Sequence, residues 1–492
     1  IEMQTLEDAA ESLGQGKASV VSVCGTAGTG KSRLIHEFKK TLNLQKIQWF
    51  DGNAYPYTQN TSYYPLIDLL TKAFGIKEGD RTEVIREKIA STLNELICEN
   101  WDKIPYICGL FAIEYSEINE VSPEYWKEQL FIAVNEILNA ITASGPTVIC
   151  LEDIHWSDPS FLELARSIIA NRSGPILLIC IYRPTISVFT DFEKRNLRIN
   201  FQEIRLKELS PSETQRMVRS LLNSDTIPKN LQQLIHDNVD GNPFFVEELI
   251  NSLIESKTLY ENPGGWTFSG SIDDTVLSTN IQSVIAGRID RLGTETKRIL
   301  QEASVIGKAF LYDILQRISV IKDGLDKKLV MLERHDLISA KTLQPTIEYI
   351  FKHALTQEIV YNGLLKTERK KIHDKIGEVI ELLFKDRISE FYESLSYHFE
   401  RGTSASKAVN YLIKSGEKSL KRFSLDEAYA YYQKGYELLS NIGSKSKLEE
   451  HTLIELINKW GMVFYYTGNF YEFEQILYAN ENIAERAENK AL

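Results

Sequence analysis

Val20-Val21-Ser22-Val23-Cys24-Gly25-Thr26-Ala27-Gly28-Thr29-Gly30-Lys31-Ser32 runs from a β-branched segment into a glycine-rich turn and on into Ser32–Leu42, which has helical character. Its last eight residues fit GxxxxGK[ST] at every fixed position. Chemistry explains the spacing. Glycines let successive backbone N–H groups turn inward around phosphate oxygens, and the helix N-terminus adds the positive end of its dipole. Lys31 is then placed to reach the β- and γ-phosphates, and Ser32 to ligate Mg2+. Strand before and helix after is the context the motif requires. Gly25, Thr26, Ala27, Gly28, Thr29, Gly30, Lys31 and Ser32 are therefore expected to cradle a nucleotide.

Outward from this loop, Ile47–Phe50 is a second strand candidate, and Thr147–Leu151 and Ile176–Tyr182 are continuous apolar runs. Such runs fit strands buried on both faces of a parallel sheet. Gly145-Pro146 and Gly174-Pro175 stand just before them as breakers. Strand and helix alternating over residues 1–205 argue for an α/β P-loop core, a parallel sheet flanked by helices. Val148-Ile149-Cys150-Leu151-Glu152-Asp153 is an apolar strand that ends in two carboxylates. A P-loop nucleotidase needs one acid beside the loop for the Mg2+ shell and often a second to orient water. Glu152 is assigned to the metal and Asp153 to the water, with the order of the two roles left open.

After Leu206 the strand signal fades. Ser210-Pro211 with Glu213 makes a capping box for a helix over Ser210–Leu222. Asn230–Asn238 and Phe244–Ser256 are further helix candidates, separated by Gly241-Asn242-Pro243. The Gly/Pro/Trp/Ser-rich stretch Asn262–Ser271 predicts a turn or hairpin and a boundary. Residues 281–360 mix short helices with strand-like pieces at Leu337–Lys341 and Ile347–Phe351. From about Thr367 the pattern is all helix, with tetratricopeptide-like spacing in two registers, one set by Gly416, Ala428 and Tyr432, the other by Gly461, Phe464, Gly468, Phe470 and Phe473. The registers exceed the repeat period in their separation, and the loop Asn441–Lys447 is expected to absorb much of the excess. Repeats of this kind need neighbours, and two of them ending at Leu492 without a polar cap predict a chain that continues.

Composition sets limits. The 492 residues are 43% apolar and 25% charged, which excludes a disordered or fibrous chain. The longest apolar run, Ile176–Tyr182, is far below the ~20 residues of a membrane span, so no membrane association is expected. Five cysteines without a CxxC pair read as buried free thiols of a reducing cytoplasm. The net charge of −12 argues against nucleic acid as the main partner. Arg288, Arg291, Lys297 and Arg298 are read as a solvated basic face.

At Glu152-Asp153-Ile154-His155-Trp156-Ser157-Asp158-Pro159 the chain resembles the LEDxHWxDP signature of signal-transduction ATPases with numerous domains, the STAND class of AAA-related P-loop proteins. Gly241-Asn242-Pro243-Phe244-Phe245-Val246-Glu247-Glu248 is similar to that family's GNPFFxEE element. Lys297–Phe310 and Phe351-Lys352-His353-Ala354-Leu355 resemble its winged-helix region. Tyr55–Gly75 and Ser122–Lys127 resemble the branch attached to bacterial class III adenylate/guanylate cyclases. Ile1-Glu2-Met3 looks like the continuation of a Gly-Arg-Glu motif, so a further domain is expected upstream.

The resemblance implies four units: an ATPase core over 1–206, a helical lid over 207–270, a winged-helix domain over 271–366 and a TPR-like solenoid over 367–492. It implies a sensor role for Arg183, a place near adenine for Pro243 and a contact with the ADP β-phosphate for His353. His155 and Trp156 shape the loop beside the acids and are given no chemistry. The expected function is a cytoplasmic ATP/ADP switch with slow Mg2+-dependent hydrolysis. It would control a covalently linked output domain outside this chain and sense a protein partner through the repeats. The alternative is the ATPase module of a maltose-regulator-type transcription activator whose DNA-binding domain lies elsewhere. No segment supplies a cyclase fold, so the chain itself is expected to make no cyclic nucleotide.

Overall fold

In the computed structural model, β1 Ser19–Cys24, β2 Gln48–Asn53, β3 Thr147–Glu152, β4 Ile176–Tyr182 and β5 Asn200–Arg205 form one parallel sheet in the order β2-β3-β4-β1-β5. The structure describes residues 1–77, 79–118, 120–170, 174–185, 188–189, 200–263, 265–269, 281–342 and 348–486. Strands β1 and β4 are buried along their whole length, and β3 in all but Glu152. Successive side chains alternate between two apolar clusters. Val20, Ile149, Leu151 and Leu178 face one, and Val21, Val23, Val148 and Leu177 face the other. With helices covering both faces, these strands are apolar apart from the buried Ser19, Ser22 and Thr147 and the terminal Glu152, which is why β3 and β4 read as near-continuous apolar runs. The expected parallel α/β core is thus the observed one.

Strand β5 was not expected. It is an edge strand, partly exposed and polar at four of its six positions (Asn-Phe-Gln-Glu-Ile-Arg), so it has no apolar run to mark it. The helix Pro211–Leu222 starts on the Ser210/Glu213 capping box as expected. Two further helices follow, Lys229–Asn238 and Pro243–Glu255, and then a hairpin of β6 Leu259–Asn262 and β7 Gly265–Phe268. The expected boundary at residues 270/271 lies outside the described residues.

Next come helices Ile281–Asp290, Thr294–Ile306, Tyr312–Ile318 and Leu325–Arg334 with a small antiparallel sheet. Its strands are β8 Ala309–Leu311, β9 Ile338–Thr342 and β10 Glu348–Phe351, in the order β8-β10-β9. β8 is only three residues long, too short for a periodic signal.

The basic face read from the sequence is corrected here. Arg288 is buried, with 3% of its side chain exposed, and pairs with Glu248 and Glu255 at 2.7 Å each. Arg291 reaches Glu255, Lys297 reaches Asp290, and Arg298 reaches Glu302 and Glu368. The charges are consumed within the fold and join the helix Pro243–Glu255 to the unit after it.

From Lys366 onward the chain is helical: Lys366–Leu383, Tyr392–Arg401, Ala405–Lys421, Leu425–Ser440, Lys447–Thr467 and Phe470–Arg486. Glycines of the two registers pack against aromatic rings of the same registers. A side chain on Gly416 would meet the Tyr432 ring at 2.8 Å, and one on Gly461 the Phe473 ring at 2.9 Å. A third such pair, Gly377 against Phe399 at 2.6 Å, lies outside the two registers. The extra length between the two registers is not mainly loop. The Ser446/Glu449 capping box starts a 21-residue helix early, so the surplus is largely added helix.

This helical array folds back onto the core. Arg422 donates to the carbonyls of Gly109 and Leu110 at 3.0 and 2.9 Å, and Glu427 accepts from Ser160 N and Oγ at 2.9 and 3.0 Å. Cys24, Cys108, Cys150 and Cys180 are buried, whereas Cys98 is exposed. Among the described residues no helix is long and apolar enough to cross a membrane.

Candidate functional site

The phosphate loop leaves β1 at its carboxyl end, where ligands collect in open parallel sheets. Gly28 and Gly30 take φ of +83° and +90°, the left-handed conformation that glycine alone enters without strain. Gly30 then caps the helix Lys31–Thr41. Lys31 is buried, and its ammonium donates to the carbonyls of Gly25 and Thr26 at 2.8 and 2.7 Å. Burial pulls its pKa down, with Asp153 opposing.

β4 lies between β1 and β3, so the loop and the acids stand on alternate strands, about 10 Å apart. Ser32 closes part of that gap: its Oγ donates to Glu152 Oε2 at 3.4 Å. Burial raises the pKa of Glu152, with Lys308 opposing. Asp153 adopts a left-handed φ of +55°, unusual for a non-glycine residue. Lys308 Nζ pairs with its Oδ2 at 2.8 Å. Burial acts to raise the Asp153 pKa, but Lys308 outweighs it and holds the carboxyl below its ordinary value.

Arg183 follows the last residue of β4. Tyr182 is in register with Cys24, so Arg183 stands level with Gly25, between the loop and the acids. Its charge is felt at Lys31, Asp153 and His155. His155 is buried, both of its ring nitrogens lack a hydrogen-bond partner, and burial pushes its pKa to about 4. A neutral ring with two unused polar atoms therefore lies beside the acids.

The segment after Gly241 covers the loop. Asn242 Oδ1 accepts from Phe244 N and Phe245 N and so caps the helix Pro243–Glu255. Its Nδ2 donates to Ala27 O at 2.9 Å, and Phe244 N donates to Gly28 O at 3.2 Å. A side chain on Gly28 would collide with Asn242 at 2.5 Å. Pro243 thus sits at the first turn of this helix, directly against the loop. The His353 ring lies on Phe244 with centroids 3.9 Å apart, and burial lowers its pKa to about 4.

The residues present fit a nucleotide with its metal. The loop turns at two left-handed glycines, one lysine is inside it, and a hydroxyl and a carboxylate stand together beside it. Among the described residues no group of three or more His, Cys, Asp and Glu could hold a metal alone. Ser32 Oγ and Glu152 Oε2 could supply the one or two protein oxygens by which Mg2+ is commonly bound alongside phosphate and water.

Sequence reasoning missed Asn242 and Lys308. Asn242 carried a signal, since Asn before Pro at a helix start is a cap pattern. Lys308 carried none, because its partner is 155 residues away.

Residues 1–179 match the family model of an AAA ATPase domain, and residues 210–260 match a domain of unknown function. An uncharacterized protein of Rhizobium meliloti is 23% identical over 474 residues, covering 92% of this chain and 44% of its own length. The peroxide stress-activated histidine kinase mak3 of Schizosaccharomyces pombe is 22% identical over 322 residues, 62% of this chain and 14% of that one. The chain spans less than half the length of either curated relative. Among solved structures, a STAND protein with a tetratricopeptide repeat sensor from Pyrococcus horikoshii aligns over 98% of this chain and 64% of its own, at 15% identity and a TM-score of 0.48. The Orc1 protein of Aeropyrum pernix, solved in complex with DNA, aligns over 74% of this chain and 91% of its own, at 10% identity and a TM-score of 0.31.

Proposed function

We propose that the chain is a nucleotide-operated switch of the STAND kind, built from an ATPase core (1–206), a helical lid (207–270), a winged-helix unit (271–366) and a TPR-like array (367–492). One observation carries this reading: two later units reach the phosphate loop and its acids. Asn242 and Phe244 bond to Ala27 and Gly28, and Lys308 pairs with Asp153. A nucleotide held in the loop thus has groups from more than one unit around it, and binding across units stabilises the closed arrangement by mass action.

In this reading Gly25 to Ser32 hold the phosphates, Ser32 and Glu152 hold Mg2+, and Asp153 orients water. Arg183 faces the γ-phosphate, Pro243 lies near adenine, and His353, packed on Phe244, contacts the ADP β-phosphate. Mg2+, when bound, would supply positive charge that offsets the charge of the phosphates. Lys308 engages the carboxylate that water activation needs, which accounts for slow hydrolysis in the closed form. Exchange of ADP for ATP shifts the units apart if the two nucleotides prefer different arrangements. The array senses a protein partner, and an output domain of the cyclase kind outside this chain delivers the response in the cytoplasm.

The test is the nucleotide released when purified chain is denatured. Near-stoichiometric ADP is expected from the wild type, with none from Lys31→Ala. An empty wild type that hydrolyses added ATP steadily would count against the switch.

A further inference from the structure

The helices Tyr64–Ala73, Thr82–Leu96, Pro123–Ser144 and Pro159–Ala170 share one apolar cluster with a face of the sheet. They do not fill it. A cavity of about 230 Å3 lies between these helices and strands β1 to β4. Small side chains stand around it: Ser19, Ala73, Thr92 and Ala165, each on a different element. Protein interiors are close-packed, and few voids in them exceed a water molecule. An unfilled void of this size leaves its walls without van der Waals partners, which is costly.

The lining decides what can enter. No charged side chain lines the cavity, and Ser19, Gln48 and Thr92 are its polar ones. The Gln48 amide is already engaged: its Nε2 donates to Ile141 O and Ser144 Oγ at 3.3 and 3.0 Å. A buried water needs several polar partners, so walls of this kind suit an apolar occupant and not water.

The place of the cavity in the sheet sets the polarity of its mouth. Ser19, Gln48 and Ile176 open their strands, so the cavity reaches the end of the sheet opposite the phosphate loop. Ala73 is exposed there, and Gln48, Thr92 and Leu96 are half-buried, which marks the mouth. Ala73, Leu96, Ile141 and Ile169 lie in the last turns of the four helices. Helix C-termini carry the negative end of the dipole and carbonyls without helical partners. They repel an anion and can accept a hydrogen bond from a hydroxyl.

We propose that this cavity binds an uncharged alkyl compound, a medium-chain alcohol, with its chain inside and its hydroxyl at the mouth. The site stands apart from the nucleotide reading and rests on no part of it.

Calorimetric titration of the full chain with 1-octanol tests the site, with sodium octanoate at pH 7 as the anionic counterpart of equal length. Saturable binding of octanol is expected. Octanoate should bind at least about tenfold more weakly, because a carboxylate without a partner resists burial. Ala165→Leu should abolish octanol binding by filling the cavity. It should also raise the midpoint of urea unfolding, as cavity-filling substitutions do. Ala73→Phe, at the exposed mouth, gives the same binding test if Ala165→Leu does not fold. No saturable binding of octanol by the wild type, equal binding of octanoate, or undiminished octanol binding by a folded variant would overturn the proposal.

Discussion

Asn242 serves two units through one amide group. Its oxygen caps the helix Pro243–Glu255, and its nitrogen holds Ala27 of the phosphate loop. Loss of such a cap costs about 1 kcal/mol. In Asn242→Ala the amides of Phe244 and Phe245 should exchange with solvent about fivefold faster, because their opening energy falls by that amount. Hydrogen exchange measured residue by residue checks this, and unchanged protection would show that the cap does not hold the lid. Lys308 shows the limit of sequence reading at this scale. A phosphate loop is legible because its chemistry sits in eight consecutive residues. An ion pair between positions 153 and 308 exists only once the fold has brought them together.

At the scale of elements, legibility followed burial and length. β1, β3 and β4 are buried on both faces and were read from their apolar runs, whereas the edge strand β5 and the three-residue β8 were not. The helical repeats were legible where glycine meets an aromatic ring. Gly416→Ala tests that contact. Alanine favours a helix over glycine by about 1 kcal/mol, but here the methyl group would lie 2.8 Å from the Tyr432 ring. Overpacking costs about 1–3 kcal/mol, so a net loss of stability is expected in urea unfolding. Gly443→Ala, with nothing within 4 Å, should show no such loss. Equal behaviour of the two variants would contradict the packing assigned to the repeats.

At the scale of the whole molecule, the array is locked to the core close behind the acids. Glu427 accepts from Ser160, and its carboxyl lies close enough to that of Asp158 for the two to titrate together; Asp158 accepts from the Tyr63, Tyr64 and Phe161 amides. Two neighbouring buried carboxyl groups repel when both are charged, which favours keeping a proton on one of them. Burial, with each carboxyl beside the other, raises the Asp158 pKa well above its ordinary value, and burial raises that of Glu427. For acids raised in the folded state, the proton-linked stability is fully present below the unfolded carboxylate range, near pH ~4. It is lost as pH rises through the folded values. Docking of the array should therefore weaken as pH rises above that range, and Glu427→Gln should flatten the trend. Limited proteolysis from pH 5 to 8 reports it, and identical slopes in the two proteins would contradict the assignment.

The central claim is that nucleotide identity sets the arrangement of the units around the phosphate loop. Its most direct test is the distance between spin labels at exposed Arg33, in the core, and exposed Met331, in the unit that carries Lys308, with ADP and then with a non-hydrolysable ATP analogue bound. A single short distance with ADP, and a longer or broader one with the analogue, is the predicted result. The same distribution with both nucleotides would contradict the switch, because a ligand with equal affinity for both arrangements shifts neither.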